Sequence, residues 1–192
     1  MKKKPLILVG AGGHAKACID VIENNGEFYV YGIIDNSKIN KILGYPILGK
    51  DKDLKKYVKK VKYLLIAVGQ IRNNQIRPKL YNLGKKLGYK FPKIFSKRSY
   101  ISKHSKIQEG TIVFHDVIIN SGAKIGKNCI INNKCLIEHD VSIGDHCHVS
   151  TKATINGSAK IGNKSFIGSG SLISNSILLP KNSFVKIGSI IT

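Results

Sequence analysis

A period of six residues governs the second half of the chain. Stepping by six from Ile101, all sixteen positions to Ile191 are Ile, Val or Leu, with no insertion. Two places before each stands a mostly small side chain, such as Ala123, Cys129, Cys135, Cys147, Ala153 or Ser165. Gly126, Gly144 and Gly162 add a beat of eighteen, so three hexapeptides make one turn of a three-sided prism. In such a prism each aliphatic side chain points inward and stacks on its equivalent one coil away, at the strand spacing of about 4.8 Å. The small residue lets the chain turn the corner. Neither a helix nor a sandwich accommodates this pattern.

The register also places the cysteines and histidines. Cys129, Cys135 and Cys147 take the small inward position and read as core filler. Cys129 and Cys147 stack one coil apart, close enough for a disulfide on distance alone. Inward thiols cannot converge with outward histidines, so no metal site is expected. His139 falls two places after the inward Ile137 and projects outward, with small Ser121 and Gly157 one coil below and above. Glu138 and Asp140 flank it. An imidazole titrates near operating pH, and a carboxylate can fix its tautomer and stabilise the imidazolium, so His139 can serve as a general base. His115 faces a different side and reads as an ordinary surface histidine. Taken alone, the local sequence favours solvated surface histidines over a site.

The first half alternates strand and helix. Leu6–Val9 reads as a buried strand, Gly10–His14 as a tight turn opening a helix through Asn24, and Tyr29–Ile34 as a second strand ending at Asp35 and Asn36. Residues 50–60 read as a helix, 63–68 as a third strand, and 70–86 as a helix interrupted by Pro78. This alternation implies a small parallel sheet. Its Gly-rich turn places backbone N–H groups where a phosphate can bind, and an acid after the second strand can hold a ribose. An NAD-binding domain is usually longer, and no partner for hydride chemistry follows.

Charge is uneven. Before position 100 stand 22 basic and 6 acidic residues, and after it 10 and 5, within a formal net charge of +21. Nucleic-acid binding, attraction of small polyanions and a plain Lys-rich surface compete as readings. Only Arg72, Arg77 and Arg98 are arginines, the residue favoured for bidentate recognition of phosphates and base edges, which argues against nucleic acid. No apolar run approaches the ~20 residues of a membrane span. Met1–Val9 imitates a signal peptide, but its apolar run ends at Gly10, so a first strand fits better. A cytoplasmic protein with reduced thiols is expected.

The segment from Ile137 to Ser150, IEHDVSIGDHCHVS, resembles the site segment of hexapeptide-repeat sugar acetyltransferases that modify sialic acid or UDP-4-amino sugars. The repeat itself resembles theirs over residues 99–191. The resemblance implies an α/β Rossmann-like domain over residues 1–95, then a left-handed parallel β-helix over residues 96–192. It implies that His139 is the base, Asp140 its orienting acid, and His148 a contact at the thioester of acetyl-CoA. Asn132 then lines the same pocket, with Gly157, Lys160 and Lys164 as further acetyl-CoA contacts. In the first domain, Gly12, Gly13 and His14, Asp35 with Asn36, and Val68 with Gly69 match the family's nucleotide-sugar motifs. Asp140 stands where Glu is usual, and Asn36 where many relatives have a second Asp. The family's Gly-x-Pro-Ala-Lys/Arg tail is not found, and Lys181 joins Lys160 and Lys164 as a replacement for its CoA contacts.

The expected activity is acetyl transfer from acetyl-CoA, as co-substrate, to the amino group of a nucleotide-linked amino sugar. The resemblance also implies a homotrimer, with pantetheine in the groove between adjacent prisms. O-acetylation of sialic-acid-type sugars is the alternative within the family. Outside it stand a carbonic anhydrase-like enzyme with zinc on His139, His146 and His148, and a non-catalytic polyanion-binding module.

Overall fold

The computed structural model describes residues 3–192. The first part comprises β1 (Lys4–Val9), α1 (Gly13–Asn25), β2 (Phe28–Ile34), β3 (Lys41–Ile42), β4 (Tyr45–Gly49), a 3₁₀ turn (Asp51–Lys56), β5 (Tyr63–Ile66) and α2 (Ile76–Lys86). The sheet runs in the order β3-β4-β2-β1-β5, parallel except for β3 against β4. Leu6–Val9 and Leu64–Ile66 are buried continuously, as a parallel sheet covered on both faces requires. Cys18, Ile19 and Ile22 of α1 pack with Leu6 and Leu8, while Leu54, Leu80 and Tyr81 pack with Ile7 and Val9.

Two local expectations change, and one hairpin is added. Residues 50–60 carry only the 3₁₀ turn, because Leu54 is its single buried side chain and no apolar stripe exists to hold a longer helix. α2 starts at Ile76 and is not interrupted, since Pro78 lies in its first turn, where a missing N–H leaves no bond unmade. The β3–β4 hairpin was not legible. Its turn is Leu43-Gly44, both at positive φ (47° and 83°), without the usual Asn-Gly or Asp-Gly signature.

The second part is a parallel β-helix of seventeen two-residue rungs, from Ile94–Phe95 to Ile190–Ile191. They form three faces of six, six and five rungs. The first face runs from Ile94–Phe95 to Phe184–Val185, the second from Tyr100–Ile101 to Ile190–Ile191, and the third from Lys106–Ile107 to Leu178–Leu179. Inward Ile119, Ile137 and Ile155 stack in register, and Cys129, Cys135 and Cys147 are buried among such aliphatics as free thiols. Every sixth residue from Gly110 to Gly188 has positive φ, including Asp116, Asn128, Asp140 and Ser158. A left-handed residue at each corner is the local cause of the turn. Its strain, about 1 kcal/mol or more for a non-glycine, is offset by the unbroken ladder on either side.

The α/β part sits on the first face. Ile94, Ile112, Phe114 and Ile130 share one apolar cluster with Leu6, Leu8, Ala15 and Ile19. Arg77, 1% exposed, locks the corner between the third and first faces: its guanidinium donates to the carbonyls of Ile66, Val68 and Asn128 and to Asn128 Oδ1, all at 2.7–3.0 Å. At the corner between the first and second faces, His115 corrects its expected role. It is no free surface histidine: Nε2 meets Asp20 of α1 at 2.8 Å and Nδ1 meets Ser96 Oγ at 2.7 Å, joining the two parts.

Candidate active site

His139 and Asp140 lie at the corner between the second and third faces, opposite the face that the α/β part covers. Asp140 Oδ2 is 3.0 Å from His139 Nδ1. A carboxylate only accepts, so Nδ1 carries a proton, and in the neutral ring Nε2 is the nitrogen whose lone pair is left for a substrate. The neighbouring corners make room for both side chains. A Cβ on Gly157 would lie 2.6 Å from His139 Nε2, and one on Gly122 would overlap Asp140 Oδ1. Glu138, the other flanking acid, is engaged elsewhere and accepts from Asn120 Nδ2 at 2.8 Å. Asn175, two coils on from His139, approaches the same spot: its Nδ2 is 3.2 Å from that Gly157 Cβ position. The eighteen-residue beat through 139, 157 and 175 was sufficient to find it.

A second feature is a cavity of about 330 Å³ at the carboxyl ends of β1, β2 and β5. Of the residues matched to nucleotide-sugar motifs, Asp35, Asn36 and Val68 line it, beside Gly10, whereas Gly12, Gly13, His14 and Gly69 are not in its lining. Gly10 has φ 108°, and a Cβ there would meet Val68 Cγ2 at 2.7 Å, so glycine is required. Asp35 accepts from the backbone N–H groups of Ala11 and Ser37, both at 2.7 Å, and these bonds hold its carboxyl below the usual range against the opposing effect of burial. Gly12 and Gly13 open α1, and a Cβ on either would meet nothing within 4 Å. Sequence reasoning missed Asp51, Ile76, Lys79 and Leu80, which come to the cavity from the 3₁₀ turn and α2.

His14 and His148 leave their expected surroundings. His14 turns away from the cavity and packs on the prism, its ring 5.5 Å from Phe114 and 6.4 Å from His148. His148 lies on the first face beneath the α/β part, 6% exposed, its Nδ1 donating to the Gln70 carbonyl. Burial, with Arg77 nearby, holds His14 at about 3 and His148 at about 4, so both are neutral. Among the described residues, His14 Nε2, His148 Nε2 and Gln70 Oε1 have no hydrogen-bond partner.

Within one chain the expected acetyl-CoA contacts do not meet. Asn132 is at the corner between the first and second faces, Gly157 beside His139, Lys160 on the third face, and Lys164 at the corner between the third and first. His139, His146 and His148 likewise sit at one corner, another corner and a covered face, and so do not converge on a common ion within the chain.

Two family models match, the PglD N-terminal domain over residues 5–83 and the bacterial transferase hexapeptide (six repeats) over residues 123–157. The chain is thus similar to a PglD-type domain in its first half and to bacterial hexapeptide transferases within its prism. Among solved structures the chain is similar to perosamine N-acetyltransferase from Caulobacter crescentus, solved as a histidine-to-asparagine mutant with CoA and GDP-perosamine: 25% identity, TM-score 0.93, covering 98% of this chain and 88% of that one. The acetyltransferase domain of PglB from Neisseria gonorrhoeae, solved with acetyl coenzyme A, shares the fold at 22% identity and TM-score 0.91, covering 99% and 92%. An uncharacterised protein of Acanthamoeba polyphaga mimivirus is 33% identical over 111 residues, 52% of this chain. That match spans about a fifth of the viral protein, 21% of its length.

Proposed function

We propose that this chain transfers an acetyl group from acetyl-CoA to the amino group of a nucleotide-linked amino sugar, with His139 as general base. The observation that carries this reading is the His139–Asp140 pair, oriented with Nε2 free and seated over Gly157. The neutral amine attacks the thioester carbonyl, the C–N bond forms, and Nε2 takes the amine proton as the C–S bond breaks. The imidazolium, stabilised by Asp140, returns that proton to the departing CoA thiolate. The cavity at Asp35 is the proposed seat of the nucleotide, with its diphosphate toward the open start of α1. The relative from Caulobacter crescentus acts on a nucleotide-linked amino sugar, which favours N-transfer over transfer to a sialic-acid hydroxyl.

Such a site needs more than one copy. The nucleotide cavity belongs to the part lying on the first face, whereas His139 stands at the opposite corner. The second face, between the corners that carry Asn132 and His139, presents an outward ladder of Tyr100, Ile118, Leu136, Thr154, Leu172 and Ile190. Tyr100 is 61% exposed and Ile190 70%, while the third face presents Lys106, Lys124 and Lys160 instead. Threefold packing of the apolar faces would bring the Asn132 edge of one copy to the His139 edge of the next, which supports a homotrimer. The test is free-thiol release from acetyl-CoA with a panel of nucleotide-amino sugars and sialic acids. Transfer to an amino sugar is expected, and transfer to none of them would overturn the reading.

A further inference from the structure

We infer that Asp51 and Asn36 select the nucleobase, and that the base they fit is guanine. The inference rests on the proposed nucleotide cavity and deepens it. The two side chains hold each other: Asn36 Nδ2 donates to Asp51 Oδ2 at 2.8 Å, and the Asp51 backbone N–H donates to Asn36 Oδ1 at 3.3 Å. Both line the cavity on the far side of Asp35 from the Gly-rich turn, because Asp35 bonds Ala11 while Asn36 bonds Asp51. A nucleotide with its diphosphate at that turn and its ribose at Asp35 therefore carries its base to this pair. Ile76 and Leu80 of α2 supply apolar surface for a planar ring there.

The uncommitted hydrogen-bonding capacity of the pair decides which base edge fits. Asn36 keeps one amide N–H, and Asp51 keeps all of Oδ1 and one lone pair of Oδ2. The edge reads donor, acceptor, acceptor. The Watson–Crick edge of guanine is its complement, with O6 accepting and N1–H and N2–H donating. Uracil has one N–H between two carbonyls, so one of its oxygens would face the carboxylate. Cytosine and adenine present acceptors at their ring nitrogens, against a carboxylate with no proton to give. Asn36 is exposed and Asp51 half-buried in the free chain, so the bound base itself would cover the pair, and a polar edge left mismatched beneath it is an effective means of rejection.

The experiment is calorimetric titration of the full chain with GDP, UDP, CDP and ADP, which reads binding apart from turnover. GDP should bind at least ~10-fold tighter than the other three. Asp51→Asn, close in shape, should lower GDP affinity by ~10-fold or more and leave UDP affinity unchanged or raised, with the thermal midpoint near that of the parent. Asn36→Asp, which sets a second carboxylate against O6, should also weaken GDP selectively. Equal binding of all four, tighter binding of UDP, or an Asp51→Asn protein with the parent's preference overturns base selection and leaves the nucleotide cavity standing. Failure of every nucleoside diphosphate to bind overturns the cavity assignment itself, and this inference with it.

Discussion

His139 depends on two neighbours, Asp140 and Gly157, that take no proton from the substrate. Asp140 can orient it only because the corner residue takes φ 59°, which Asp and Asn tolerate better than most side chains. Asp140→Asn is thus a cleaner probe than Asp140→Ala, and it should lower kcat while leaving the KM for acetyl-CoA near that of the parent. His139→Ala should reduce kcat by ~10²–10⁴ in the thiol-release assay. Gly157→Ala tests the geometry rather than the chemistry. Its added methyl would occupy space 2.6 Å from Nε2, so kcat should fall with little change in thermal midpoint. Full activity in that variant would contradict the seated imidazole. At this scale the sequence was informative wherever the six-residue register applied, since register alone puts Gly157 against His139. It misjudged His115, because whether an outward side chain meets solvent or Asp20 depends on another part of the chain.

The junction between the α/β part and the first face is the element with the most distinctive energetics. His14 and His148 stay neutral in the folded chain until pH falls to about 3 and about 4, whereas unfolding returns each to about 6.5. Between those values the unfolded state binds more protons, so stability is full above about pH 6.5 and declines as pH falls, by about 1.4 kcal/mol per unit for each imidazole. The urea midpoint should therefore drop between pH 7 and pH 5, and His148→Gln should flatten that slope. A slope identical to the parent's would contradict the buried neutral pair. Arg77→Ala at the same junction strips donors from the carbonyls of Ile66, Val68 and Asn128 and from Asn128 Oδ1, and should cost about 2–4 kcal/mol in denaturant titration. Neither effect was legible in advance. A Gly-Gly-His turn and an Arg in a helix look alike in sequence whether they face solvent, a ligand or a second layer of structure.

At the scale of the whole molecule, the three prism faces differ by what covers them. The first is covered by the α/β part, the third carries lysines, and the second is apolar and bare within the chain. Ile118→Lys with Leu172→Lys should give a folded monomer by light scattering and circular dichroism, with acetyl transfer lost alongside the assembly. A trimer that persists in that double variant would contradict the second face as the interface. The net charge of +21 suits the two anionic substrates proposed above better than a nucleic acid, and three arginines among the basic residues agree with that. The sequence by itself determined the prism, its register, the outward direction of His139 and the strand-turn-helix start of the α/β part. Those features follow from local rules: a period, a turn chemistry and a buried apolar run. Only the tertiary structure decided that His148 is covered, that His115 is a bridge, that Asp51 joins Asn36 in the cavity, and which prism face stays bare. Each of these depends on where the first half of the chain lies on the second, a long-range packing of apolar surface that no period or motif within either half encodes.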